Sequence, residues 1–185
     1  MMFGNAAAAF ILTGMVGMKV AGHVLPRADT TPDGLIVIDV SQDGNNTLTW
    51  YADVPGSEAK RSGLEAAGAP LEARACGSVA VSCFGSNLAD ATNCANLISA
   101  LRRDPFRQLS QSPRAVCLGQ GGGECCVSWS KAVSGLEQGD LLNGANFVLQ
   151  DCLKSGNRVS GLTRNVQLQS SCVTECLSNR PDGCS

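Results

Sequence analysis

Apolar residues follow two rhythms along this chain, every second position in some stretches and every third or fourth in others. The two rhythms separate strands from helices. LIVIDVSQ and TLTWYADV alternate on either side of Asp43-Gly44-Asn45-Asn46 and predict a β-hairpin. GSVAVSCFGS alternates again and predicts a strand. In the following NLADATNCANLISALRRD, Leu88, Ala91, Cys94, Ala95, Ile98 and Leu101 share a helical face. Asn87 is the expected cap, with Asp90 at the third position, and Arg102 and Arg103 complement the helix dipole before Pro105. PRAVCL and ECCVSWSKAV read as two strands joined by a turn at the glycine run Gly119-Gln120-Gly121-Gly122-Gly123. A phosphate cradle is the competing reading of that run, but no helix start and no Lys-Ser/Thr follows it. Ser134-Gly135-Leu136-Glu137 has the form of a capping box. It opens a second helix with Leu141, Ala145, Val148 and Cys152 on one stripe, stopped by Gly156. RVSGLTRNVQLQSS is the last expected strand, and the tail CVTECLSNRPDGCS carries three cysteines that pin it back.

The order strand, helix, strand, strand, helix, strand is that of an α+β, ferredoxin-like (split β-α-β) domain. Such a domain has an antiparallel sheet with two helices on one face, here disulfide-rich and preceded by the hairpin.

Residues 6–22, AAAAFILTGMVGMKVAG, form an apolar run interrupted by Thr13 and Lys19. The run is shorter than the roughly 20 apolar residues a membrane span needs, so it reads as a secretory signal over residues 1–22, cut after Gly22, and not as a stable membrane anchor. Residues 23–61 then hold the hairpin and 62–75 a linker, with the disulfide-stapled α/β domain at 76–185. Residues 24–75 contain no cysteine, eight acidic and four basic residues. The Gly-, Ala- and Ser-rich stretch before Cys76 includes Lys60-Arg61, a site for a kexin-type protease in exposed chain. Cleavage after Arg61 would make the hairpin a pro-peptide; an ordinary solvated charge pair is the competing reading. Asn45-Asn46-Thr47 places an N-glycosylation sequon in the hairpin turn.

All ten cysteines, Cys76, Cys83, Cys94, Cys117, Cys125, Cys126, Cys152, Cys172, Cys176 and Cys184, lie in the last domain. An even number behind a signal points to a disulfide framework, whose pairing spacing leaves open. Metal binding is the rival, but there is no Cys-x-x-Cys pair, and adjacent Cys125 and Cys126 point to opposite faces of a strand. Cys94 and Cys152, on helix stripes, are expected to bridge to a strand or to the tail.

With a formal net charge of −2, no nucleic-acid partner is expected. The single histidine, His23, adjoins the signal, which disfavours histidine-based catalysis and zinc sites. Ser128-Trp129-Ser130-Lys131 matches Ser-x-x-Lys but falls on a strand, whereas that chemistry starts from a helix. No catalytic residue, metal or cofactor is therefore assigned and the chain reads as a non-enzyme. A carboxylate-only site is the one gap. Aromatics are 4% of the chain. Trp129, on the same side as Cys125 and Val127, is a candidate surface contact, with burial against cystine the competing reading. Trp50 and Tyr51 are a candidate sugar-stacking pair, against strand packing.

CFGSNLADATNCANLISALRRD, VCLGQGGGECCVSWSKAV and SSCVTECLSNRPDGC resemble the cysteine-rich secreted proteins of filamentous fungi grouped as fungal WD-like, over residues 34–185. The order of elements also resembles that of virally encoded killer toxins of smut fungi and related effectors. These likenesses imply a secreted, toxin-like or effector-like interaction protein whose partner is an extracellular protein or cell-wall component. A secreted hydrolase and a carbohydrate-binding module are the alternatives.

Overall fold

The computed structural model describes residues 34–54, 76–109 and 114–183. Ten strands and two helices run in the order β1 (Leu35–Asp43), β2 (Asn46–Asp53), β3 (Ala80–Cys83), β4 (Ala89–Asp90), α1 (Ala91–Arg103), β5 (Ala115–Gln120), β6 (Gly123–Trp129), α2 (Leu142–Asp151), β7 (Leu153–Lys154), β8 (Arg158–Val159), β9 (Gly161–Leu168) and β10 (Ser171–Ser178). Seven strands form one antiparallel sheet in the order β1-β2-β5-β6-β10-β9-β3, and β4-β8-β7 form a second, small one.

The ferredoxin-like expectation is overturned. The domain is mostly antiparallel sheet, with two short helices of 13 and 10 residues. The physical reason lies in the cysteine-bearing tail, which is itself a strand. β10 inserts between β6 and β9, and β3 is displaced to the sheet edge. Val173, Glu175 and Leu177 of β10 all face inward and are buried. A carboxylate in the middle of that row hides its apolar alternation from a sequence reading. A bulge in the β9–β10 pairing helps the fit. Val173 pairs with Val166 and Glu175 with Thr163, with Asn165 between them in the left-handed region at φ 61°. The extra residue changes the inside-outside phase of β9, so Thr163, Val166 and Leu168 are all buried.

The β1–β2 and β5–β6 turns use glycine where φ must be positive, whereas the β9–β10 turn places Gln169 there (φ 53°). Gly44 alone is left-handed (φ 62°) in the Gly44-Asn45 loop, as a type II′ hairpin requires, whereas Gly121 and Gly122 (φ 59° and 79°) are both so in the β5–β6 turn, as in type I′. The helix signals moved. Asp90, not Asn87, caps α1, accepting from Thr92 N at 2.8 Å and Asn93 N at 3.2 Å. These backbone donors, Asn93 first, lower the Asp90 carboxyl below its ordinary range. The second capping box is Glu137 with Asp140, at a short 3-10 turn (Gln138–Leu141) ahead of α2. Gly156 sits in the β7–β8 turn, beyond the helix end at Asp151.

The core lies where α1 packs on β5 and β6 and α2 packs on β3, β9 and β10. Cys94, Leu97, Ile98 and Leu101 of α1 and Leu141, Ala145, Val148 and Cys152 of the second stripe are buried, while Ala95 is exposed. Leu48 and Trp50 of β2 join the same core, so the hairpin is part of the sheet.

Candidate functional site

Four bridges are described: Cys76–Cys172, Cys83–Cys152, Cys94–Cys125 and Cys117–Cys126. Cys176 is also disulfide-bonded, and Cys184 lies outside the described residues. Cys94–Cys125 ties α1 to the inner face of β6. The next residue, Cys126, points the other way and bridges to its cross-strand partner Cys117 on β5. Cys83–Cys152 fastens the end of α2 to the edge strand β3. Gly161 lies under that bridge, where an added Cβ would come within 2.7 Å of Cys152 Sγ. Cys117, Glu124 and Cys126 gather closely enough to suggest a metal site, but their two sulfurs are bonded to each other and offer no thiolate.

Trp129 is 2% exposed and belongs to the core, so it is no surface contact. Trp50 is likewise buried while Tyr51, its neighbour on the opposite face, is half-buried, which dissolves the sugar-stacking pair. Burial and then the nearby Glu124 raise the Tyr51 pKa, and burial raises that of Glu124. Ser128 is buried, and the Ser130 hydroxyl accepts from Thr174 N at 3.1 Å. Gly22, Lys60 and Arg61 lie outside the described residues.

A buried acid went unnoticed in the sequence. Glu175 is fully buried, and neither carboxylate oxygen has a hydrogen-bond partner. Its register partners are Trp129, whose indole nitrogen is also buried and unpartnered, and Thr163, whose hydroxyl donates to Gly144 O at 3.1 Å. The carboxyl lies against α2 at Gly144, where a Cβ would meet its Cδ at 2.6 Å. Burial, the largest cause, pushes its pKa well above the usual carboxylate range, and the nearby Ala145 backbone N–H pulls the other way.

A polar groove of about 430 Å³ lies between the hairpin tip and α1. On the helix side Asn96, Ser99 and Arg103 recur at three- and four-residue steps, which places them on one stripe. Asn96 Nδ2 donates to Gln120 Oε1 at 2.7 Å, bringing β5 into the wall. Arg103 pairs with Asp43 and closes one end. Asn45 is exposed at the tip and Asn46 follows it; Asn46 Oδ1 is buried without a partner. The signal for this groove was the polar stripe of α1, legible only once the hairpin was known to lie against it. A second cavity of about 170 Å³ opens beside Ser128, Ser130 and Thr174, near the segment Pro181-Asp182-Gly183. Arg114 lines it but is committed to Asp53 at 2.7 Å and to Trp129 O at 2.6 Å. Among the described residues, the first cavity is lined by the carboxylate of Asp43 and the second by that of Asp182. No helix among the described residues is long and apolar enough to cross a membrane.

These features define a cysteine-rich, disulfide-stapled domain built on one large antiparallel sheet. The family model described as Fungal WD-like matches residues 56–184, and the chain belongs to that family. No curated protein and no solved structure matches it.

Proposed function

We propose that this is a secreted interaction protein, toxin-like or effector-like in action, that meets an extracellular protein or a cell-wall component outside the producing cell. The observation that carries the reading is the oxidised framework, which crosslinks both helices to the sheet. Disulfides persist in oxidising compartments, and they keep a fold intact under proteolysis and dilution. In this reading the signal is removed near Gly22. Cleavage after Arg61 would leave the hairpin bound, because β2 pairs with β5 along five residue pairs and buries Leu48 and Trp50.

Expression of the full chain in a fungal host tests this. The protein is expected in the medium, with an N-terminus near residue 23 or at Ser62, and the purified material is expected to inhibit competitor cells or provoke a response in host tissue. Reduction and alkylation should abolish that response. Retention in the cell with free thiols overturns the reading, and turnover of glycosidic or ester substrates would favour the hydrolase.

A further inference from the structure

We propose that Asn45 is N-glycosylated and that the groove between the hairpin tip and α1 seats the first N-acetylglucosamine of that glycan. The proposal rests on the secretory route, since only that route supplies the sugar donor. Transfer forms a bond from Asn45 Nδ2 to C1 of the sugar and breaks the C1–O bond to a lipid diphosphate. The diphosphate leaves as the anion, and a base takes one amide proton.

Three observations converge. Asn45 is exposed at the turn, heads the Asn45-Asn46-Thr47 sequon and itself lines the groove, so an attached sugar starts inside it. The opposite wall holds the Asn96 and Gln120 amides, bonded to each other, and the Ser99 hydroxyl, which donates to Ala95 O at 2.8 Å; each amide keeps further donor or acceptor capacity and the hydroxyl can still accept, which suits the hydroxyl and acetamide groups of an amino sugar. Asn46 Oδ1 is a buried acceptor with no partner, and a sugar hydroxyl or acetamide N–H would supply its missing donor. Among the described residues no aromatic side chain lines the groove, and an aromatic stacking platform is what favours capture of a free saccharide. A covalent tether replaces that contribution by raising the effective concentration of the sugar at the site.

The full chain is produced in a yeast secretory host with its own N-terminus and, in parallel, behind an added export signal. Intact mass is expected to show a glycan that Asn45→Gln removes. An endoglycosidase that leaves one N-acetylglucosamine should preserve the melting temperature, whereas Asn45→Gln should lower it by about 2–4 °C, the shift expected for a contact worth about 1 kcal/mol in a chain of this size. Asn96→Ala removes the bond to Gln120 in both forms, so it should lower both melting temperatures, and that of the glycosylated form by more than that of Asn45→Gln. Either of two results overturns the proposal: an empty Asn45 in protein exported by the added signal, or an equal effect of Asn96→Ala in both forms. Glycosylated export through the added signal alone, with the native chain retained, overturns the secretion reading, and the melting temperatures of the exported forms then decide the groove assignment by themselves.

Discussion

The two ends of the seven-stranded sheet are held in different ways. From β5 to β3 every strand is bridged to another element or belongs to a bridged hairpin, and both helices are tied in by Cys94–Cys125 and Cys83–Cys152. The β1–β2 hairpin has no cysteine. It is held by the β2–β5 ladder, by Leu35, Leu48 and Trp50, and by the ion pairs Arg103–Asp43, Arg107–Asp39 and Arg114–Asp53. One sheet therefore combines a covalent half with a half that depends on packing. The hairpin is the part expected to open first.

The largest expected effect is that of complete reduction. Each native bridge contributes about 2–4 kcal/mol, so losing the four described bridges alone removes an amount comparable to the whole margin of about 5–15 kcal/mol of a typical domain. Circular dichroism with urea titration should show no cooperative transition, and a cooperative reduced form would mean that the bridges are secondary. Next comes Trp50→Ala, expected to cost about 3–5 kcal/mol by removing the hairpin's main anchor. Hydrogen exchange should rise in β1 and β2 while β6 and β10 stay protected. Uniform loss of protection would dissolve the distinction between the halves.

A smaller effect belongs to the bridged half. The folded pKa of Glu175 is raised well above 4.5, so the native state keeps a proton that the unfolded chain releases as pH rises. Its contribution is complete below about pH 4.5 and is lost as pH climbs towards the folded value. Glu175→Gln cannot ionise, and should match the parent in acid but be more stable by about 1–3 kcal/mol at neutral pH, read from urea midpoints at several pH values. The smallest effect is that of Arg107→Ala. The exposed pair with Asp39 contributes under about 1 kcal/mol, and the loss should shrink in added salt. Removing the Arg114–Asp53 pair, which is nearly buried, should cost more.

Local features were readable from the chain where one element sufficed. The Gly121-Gly122 turn, the arginines closing α1 and the Leu141-Ala145-Val148-Cys152 stripe all stand where periodicity and turn chemistry place them. Features that depend on a distant partner were not. Asp90 outcompetes Asn87 as a cap because Asn87 takes a left-handed conformation (φ 52°) and Asp90 an extended one. The sheet order was lost because Glu175 sits where an apolar residue would have announced a strand, and its burial is visible only once α2 is seen to lie over it at Gly144. The vicinal pair Cys125 and Cys126 was readable as facing two ways, but nothing in the spacing selects Cys94 and Cys117 as their partners.

The position of β10 has a temporal side. Both of its sheet neighbours, β6 and β9, precede it in the chain, so the sheet stays in two parts until the last of its strands has been made. Cys172, which closes a bridge 96 residues long to Cys76, arrives on that same strand. Contacts between such distant segments form slowly, because the chain loses loop entropy before it gains any pairing. An emerging chain would thus keep this sheet in two parts until β10 has been made, the same strand then joining the sheet and closing the longest of the four described covalent loops.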